Sequence, residues 1–217
     1  MHIATISHPD LSYACKRFSG YMAWPNEPIF LALHYCLCYL YHHPHLPIMY
    51  PNNASTTPGG SINTFWCKGQ AEYLSPDFGD PLTAFTEANH ACCLLTRSVS
   101  VYLILHNSVI ISWGCKKQPI TSIHTTGSEI TALHKGASKT ILVRQLLTTI
   151  GFLPSSSTPI FEDNQGTIKL IHTPSSWHYL PLCSRNCLAQ WSAPHQPITC
   201  SIYKNIHATC WLFHQTC

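Results

Sequence analysis

Charged residues are scarce in this sequence. Of its 217 residues, 10% are Asp, Glu, Lys or Arg, whereas a typical soluble domain has roughly 25%. Only nine are acidic, and none of these follows Asp163. The net charge of +3 is too small to indicate nucleic-acid binding by itself, because phosphate binding requires a concentrated basic face. The hydrophobic fraction of 45% still provides for a core. Low charge beside 15 His, 12 Cys and 16 Pro indicates mutational drift.

Long apolar runs and targeting signals are also missing. The most apolar stretch, residues 99–113, is interrupted by polar residues at 106–108 and is too short to span a bilayer. The N-terminus lacks a basic segment followed by an apolar one, so no secretion signal is predicted. We therefore expect an intracellular protein, cytoplasmic or nuclear, with no membrane partner and mostly reduced cysteines.

The cysteines do not follow a zinc-binding pattern. The closest pairs are Cys36 and Cys38, Cys92 and Cys93, and Cys183 and Cys187. None of them forms a Cys-x-x-Cys motif with a matching second pair, which sequence-recognisable zinc sites require. The histidines at 42, 43 and 45 lie in a Pro-rich stretch that is typical of a solvated turn. A cysteine/histidine metal protein therefore stays a minor alternative.

Hydrophobic periodicity predicts an α+β protein. Helical spacing of apolar residues indicates helices over 10–24 and 28–43, and Pro and Gly punctuate the segment that follows. Alternating or β-rich runs then predict strands at 82–91, 99–105, 109–113, 158–161 and 198–203, with helices at 128–149 and 164–171. We expect a helical segment at 1–45, a linker at 46–80 and, at 81–217, a mixed sheet flanked by helices.

Three carboxylates lie where such a fold can bring them together. Glu87 is in the middle of the first strand, Glu129 in the first turn of the long helix, and Asp163 at the end of the fourth strand. Clustered carboxylates repel one another unless a cation neutralises them, and a pair of Mg²⁺ ions about 3.5–4 Å apart is the natural occupant. Spacing alone leaves open that they are three unrelated surface acids. If they converge, the pKa of at least one should be raised.

Short motifs in a fixed order accompany these acids. They are Arg97-Ser98, Ile111-Ser112-Trp113, Lys116-Lys117-Gln118, Ser128-Glu129-Ile130-Thr131-Ala132 and Glu162-Asp163-Asn164-Gln165. Together they resemble the ribonuclease H region of copia-type retrotransposon Pol polyproteins. Residues 4–14, 21–28 and 32–40 resemble the stretch that joins reverse transcriptase to ribonuclease H in the same family. The resemblance extends over about residues 3–213.

The resemblance implies a ribonuclease H fold, which is a five-stranded mixed sheet flanked by helices. It also implies cleavage of the RNA strand of an RNA–DNA hybrid with two divalent ions, Mg²⁺ or Mn²⁺. The family's catalytic metal ligands fall on Glu87, Glu129 and Asp163. Lys116 and Lys117, in a turn of the motif, would contact the hybrid, which proteins recognise through its backbone and 2′-hydroxyls. The partners would be the hybrid and the rest of a Pol polyprotein.

Several positions depart from the family. Glu87 stands where the family has Asp, and a displacement of about 1 Å can cost about 10²-fold in rate. Asn89 and Gly127 replace acids, and the position of the family's fourth carboxylate ligand is Trp211. No Asp-Asp dipeptide is present, so the chain has no polymerase active site. We therefore expect a degenerate copy whose nuclease is weakened or inactive. A nuclease that works with three carboxylates and a binding relic without catalysis are the alternatives.

Overall fold

The computed structural model describes residues 2–43, 48, 82–92, 97–107, 109–152, 157–173 and 198–202. The elements are α1 (His2–Ile6), α2 (Ser12–Ser19), α3 (Glu27–His42), β1 (Leu82–Asn89), β2 (Val99–His106), β3 (Val109–Lys117), α4 (Thr125–Thr149), β4 (Thr158–Glu162), α5 (Gln165–Ile171) and β5 (Ile198–Ile202). A 3-10 turn, Pro9–Leu11, precedes α2. The predicted linker lies outside the described residues, apart from residue 48. The predicted division into segments stays a prediction.

The strands form one mixed sheet in the order β3-β2-β1-β4-β5. β1 and β2 pair antiparallel, as do β2 and β3, whereas β4 runs parallel to β1 and β5 parallel to β4. A hairpin joins β2 to β3, with Asn107 at φ 47, a left-handed conformation that Asn tolerates better than most residues. The predicted α+β class, a mixed sheet flanked by helices, is confirmed.

The two faces of β1 pack against different partners. Leu82 and Ala84 lie in one core cluster with Leu133 and Ala137 of α4. Phe85 points to the opposite face, as strand alternation requires, and packs in a second cluster. Since β1 is covered on both faces, its backbone is fixed, and the side chains at its end are held in place with it.

Helix α4 crosses β1 at close range. A Cβ atom at Gly136 would collide with Cγ2 of Thr86 in β1. The helix begins at Thr125, not at residue 128 as predicted. Hydrogen bonds from the N–H groups of Gly127 and Ser128 to the carbonyl of His124 form this extra turn. Glu129 is therefore in the second turn of α4, and its predicted place in the first turn was wrong.

Helices α1 and α2 pack on the β2–β3 side of the sheet. Tyr13 of α2 is buried in a cluster with Val99 and Val101 of β2. The indole Nε1 of Trp113 donates a hydrogen bond to the carbonyl of Ala4, at 2.9 Å. α2 ends at Ser19, before Gly20, so the prediction of a helix continuing to residue 24 was wrong. None of the helices in the described part of the chain has the length and apolar content needed to cross a bilayer.

Candidate metal centre

Three acidic side chains from different elements meet beside the carboxyl end of β4. β1 and β4 pair at Phe85 with Phe161, and Glu87 and Asp163 each lie two residues beyond this pair. Glu129 reaches the same place from α4. The three residues each offer a carboxylate oxygen within 4.8 Å of the others. The structure thus brings together all three acids singled out in the sequence.

Two oxygens of this cluster are buried without a hydrogen-bond partner. They are Oε2 of Glu87 and Oε2 of Glu129. Glu129 is only 6% exposed, and its carboxylate accepts one backbone hydrogen bond from Ala88. A buried polar atom without a partner is costly, and coordination of a cation would satisfy both atoms. Carboxylate oxygens are the ligands that Mg²⁺ and Mn²⁺ prefer, so the donor set fits a hard divalent cation.

The electrostatics of the cluster also favour a positive charge. Burial, followed by repulsion from Asp163, raises the pKa of Glu87 to about 7. Burial raises the pKa of Glu129 more strongly, and the charges of Glu162, Glu87 and Asp163 add to the effect. These directions agree with the expectation for converging acids. A divalent cation between them would reverse the effect by stabilising the ionised forms.

Glu162 is a fourth acid that sequence reasoning left without a role. It is fully buried. Its Oε2 accepts a hydrogen bond from the Thr86 hydroxyl at 2.9 Å, and its Oε1 accepts one from the Asn164 N–H at 3.3 Å. Burial raises its pKa, and these two bonds partly offset the rise. Glu162 is not part of the three-residue ligand group, but its charge helps to raise the pKa of Glu129. The sequence signal that could have drawn attention to Glu162 is its place, as an acidic residue, at the end of a buried strand.

Gln118 holds the start of α4 against the sheet. This side chain is buried, and its Nε2 donates to the hydroxyl of Ser100 and to the carbonyl of Ser128, both at 2.9 Å. Its backbone N–H donates to the carbonyl of Ser98 at 2.8 Å. Because Ser128 directly precedes Glu129, these bonds hold the backbone from which the Glu129 side chain projects. The sequence analysis placed Gln118 in a motif without assigning it this role.

The segment around Asp163 is fixed by a helix cap. Oδ1 of Asn164 accepts a hydrogen bond from the N–H of Thr167 at 2.9 Å, which makes Asn164 the N-cap of α5. Asp163 itself is exposed and lies between the end of β4 and this cap. The carboxylate is therefore accessible while its backbone is held on both sides.

Lys116 and Lys117 are the last two residues of β3 and do not lie in a turn as predicted. The β2–β3 ladder continues through Ser100 with Lys116 and Val99 with Lys117. Since Ser100 in turn pairs with Ala88 of β1, Lys116 lies two strand spacings, about 10 Å, from the strand that carries Glu87.

Lys116 is one member of a basic cluster drawn from three elements. The pKa of Lys135 in α4 is lowered to about 8, mainly by burial and also by the nearby charges of Lys116, Lys139 and Lys16, against an opposing effect of Cys115. We call Lys16, Lys116, Lys135 and Lys139 the lysine cluster. Three of its members, Lys16, Lys135 and Lys139, could not be recognised from the sequence because they are far apart along the chain and converge only in the fold.

Comparison with known proteins supports the resemblance. The chain is 27% identical, over 168 residues, to a retrovirus-related Pol polyprotein from transposon RE2 of Arabidopsis thaliana. The match covers 77% of this chain and 10% of that protein, so the chain spans about a tenth of the length of the curated relative it matches. The resemblance to a retrotransposon Pol polyprotein predicted from the motifs is thereby confirmed.

Protein-family models and solved structures were also compared with the chain. No protein-family model matches the chain. Among solved structures, the N-terminal RNase H domain of Rv2228c from Mycobacterium tuberculosis, determined as a fusion with maltose-binding protein, aligns with a TM-score of 0.40 and 9% sequence identity. That alignment covers 62% of this chain and 93% of the solved one.

Proposed function

We propose that this chain is a fragment of a copia-type retrotransposon Pol polyprotein, and that its ribonuclease H-like region holds two divalent ions, Mg²⁺ or Mn²⁺. Glu87, Glu129 and Asp163 would be the ligands. The observation that carries the proposal is the convergence of these carboxylates within 4.8 Å, with two buried oxygens that lack a partner. When bound, such a pair of ions activates a water molecule and stabilises the leaving oxygen at a phosphodiester.

The proposed substrate is the RNA strand of an RNA–DNA hybrid. Two observations support this choice. One is the similarity to a Pol polyprotein, and the other is the lysine cluster, whose Lys116 lies about 10 Å from the strand that carries Glu87. Lysines attract the phosphate backbone without reading its sequence, so they suit a substrate that is recognised by helix shape. Lys116 and Lys117 would contribute to this contact from the end of β3.

We propose that cleavage is weakened or lost in this copy. Glu87 carries one methylene more than the Asp of the family, and a misplaced ligand of this kind can cost about 10²-fold. No acidic residue follows Asp163 that could replace the family's fourth ligand, and Trp211, which occupies that position, lies outside the described residues. A binding relic without catalysis is the alternative function, and the lysine cluster favours it.

The test is cleavage of a labelled RNA–DNA hybrid by the full chain, first with Mg²⁺ and then with Mn²⁺. Asp163→Asn removes one proposed ligand, and Glu27→Gln, in the exposed first turn of α3, is the matched control. Slow cleavage that Asp163→Asn abolishes and Glu27→Gln retains would support a weakened nuclease. Glu87→Asp should then increase the rate, by roughly tenfold or more, because it restores the shorter ligand.

If the chain does not cleave the hybrid, a binding measurement distinguishes a binding relic from a protein with neither function. Affinity that falls steeply with salt, measured on a folded protein, would support the binding relic. A folded protein that neither cleaves nor binds the hybrid would contradict both functions.

A further inference from the structure

Helix α3 is apolar and has no buried residue. The large apolar side chains that it exposes include Phe30 at 60%, Leu31 at 61%, Leu37 at 55% and Tyr41 at 80%. Apart from histidines, its only charged residue is Glu27 in the first turn. At about 100° per residue, these four apolar residues lie on one side of the helix. We call this side the exposed face of α3. An exposed apolar face of this kind marks a contact surface.

A metal-ligand pair lies in the middle of that face. His34 and Cys38 are four residues apart, which places both side chains on the same side of the helix. Nε2 of His34 and Sγ of Cys38 are 3.6 Å apart. In a tetrahedral zinc site, Zn–N bonds of about 2.0–2.1 Å and Zn–S bonds of about 2.3 Å place the nitrogen and sulfur about 3.6 Å from each other. The pair thus has the spacing of two adjacent zinc ligands.

We propose that His34 and Cys38 form half of a Zn²⁺ site, and that a second copy of this chain completes it with the same pair. A structural zinc site requires four nitrogen or sulfur ligands. Within the residues that the structure describes, the acidic cluster is the only group of three or more possible ligand residues. The chain's described part therefore offers this site two ligands.

The second copy is the natural source of the other two ligands. A two-fold axis through the ion would bring an identical pair into place, because a two-fold interface uses the same patch on both subunits. The two exposed faces would then cover each other, and α3 carries little charge that would oppose this contact. Zinc binding converts each Cys38 thiol to a zinc-bound thiolate and releases its proton to solvent. Nitrogen and sulfur donors also separate this site from the carboxylate cluster, which suits harder ions.

Cys36 provides a matched control on the same helix. It lies two residues from Cys38, which places it about 160° around the helix. Its pKa is raised mainly by its burial and also by the charge of Cys15 in α2, which lies nearby. Cys36 therefore faces the body of the protein. A Cys36→Ser variant removes a thiol from α3 without touching the proposed site.

The experiment titrates the reduced full chain with Co²⁺, as a spectroscopic substitute for Zn²⁺, in excess Mg²⁺ that competes for the acidic cluster. Absorption by thiolate-bound Co²⁺ and the molar mass from sedimentation are measured together, and the mass is repeated with Zn²⁺. The expected result is one ion per two chains with formation of a dimer. Cys38→Ser and His34→Ala should lose both the absorption and the dimer, and Cys36→Ser should keep both.

Other cysteines and histidines of the chain can also bind Co²⁺. The relevant quantity is therefore the part of the absorption that is lost in Cys38→Ser. The variants lie on the exposed face, so circular dichroism should show an unchanged fold. Absorption and dimer mass that persist in Cys38→Ser would overturn the proposal. A Cys38-dependent ion bound to a monomer would also overturn it, as would the lack of any Cys38-dependent binding.

Discussion

Replacing Glu87 by Gln tests the electrostatic cost of the acidic cluster. Burial and repulsion from Asp163 raise the pKa of Glu87 from 4.5 to about 7. The folded chain therefore binds this proton more tightly than the unfolded chain does. Stability from this group is fully present at low pH, and it decreases as the pH rises from about 4.5 to about 7. The full decrease corresponds to about 3 kcal/mol, at about 1.4 kcal/mol for each pH unit.

Gln has the shape of the protonated side chain but cannot ionise. At pH 4 the variant and the wild type should have the same free energy of unfolding. At pH 8, with chelator present, the variant should be more stable by up to about 3 kcal/mol. The measurement is urea unfolding followed by circular dichroism from pH 4 to pH 8, and Glu27→Gln is the control. Added Mn²⁺ should make the wild type the more stable of the two proteins at pH 8, because only the wild type keeps all three ligands.

A stability difference that does not change between pH 4 and pH 8 would contradict the raised pKa of Glu87. The raised pKa would also be contradicted if the Gln variant were the less stable protein at pH 8 in chelator. Either result would mean that Glu87 is not held in the buried, negatively charged surroundings that the structure shows.

Three further predictions concern packing, capping and charge. Gly136→Ala should destabilise the fold by about 1–3 kcal/mol in urea unfolding because the new Cβ would collide with Thr86. Gly127→Ala is the control, since a Cβ there makes only ordinary contacts and should not destabilise the fold. Equal effects of the two substitutions would contradict the close crossing of α4 over β1. Asn164→Ala should cost about 1 kcal/mol by removing the cap of α5, and thermal unfolding that matches wild type would argue against it. Lys135→Gln should reduce the slope of log hybrid affinity against log salt by about one, and an unchanged slope would separate the lysine cluster from hybrid binding.

The order of strands and helices could be predicted because each has a clear local pattern. β1 alternates between a face that packs on α4 and a face that contains Phe85, and this period of two is visible in the sequence. The ends were less predictable because tertiary contacts determine them. β3 continues to Lys117 since its ladder with β2 continues. α4 starts at Thr125. Its first turns are held by the distant Gln118, which donates a hydrogen bond to the carbonyl of Ser128.

The site divides in the same way. Glu87, Glu129 and Asp163 could be singled out because each has a local signal, namely its place in a predicted strand or helix, even though the three residues are distant along the chain. Glu162 could not be assigned a role from sequence, since its role depends on burial against Thr86. The lysine cluster was missed for a similar reason: the convergence of α2, β3 and α4 leaves no local pattern.

Binding of Mn²⁺ to the full chain shows whether the acidic cluster is a metal centre. The free ion is followed by electron paramagnetic resonance at neutral pH, for the wild type, Glu129→Gln and the Glu27→Gln control. We expect that the wild type and the control bind Mn²⁺ equally, and that Glu129→Gln lowers the affinity by at least about tenfold. Equal Mn²⁺ affinity in all three proteins, or no binding by a folded wild type, would contradict the assignment of the acidic cluster as a metal centre.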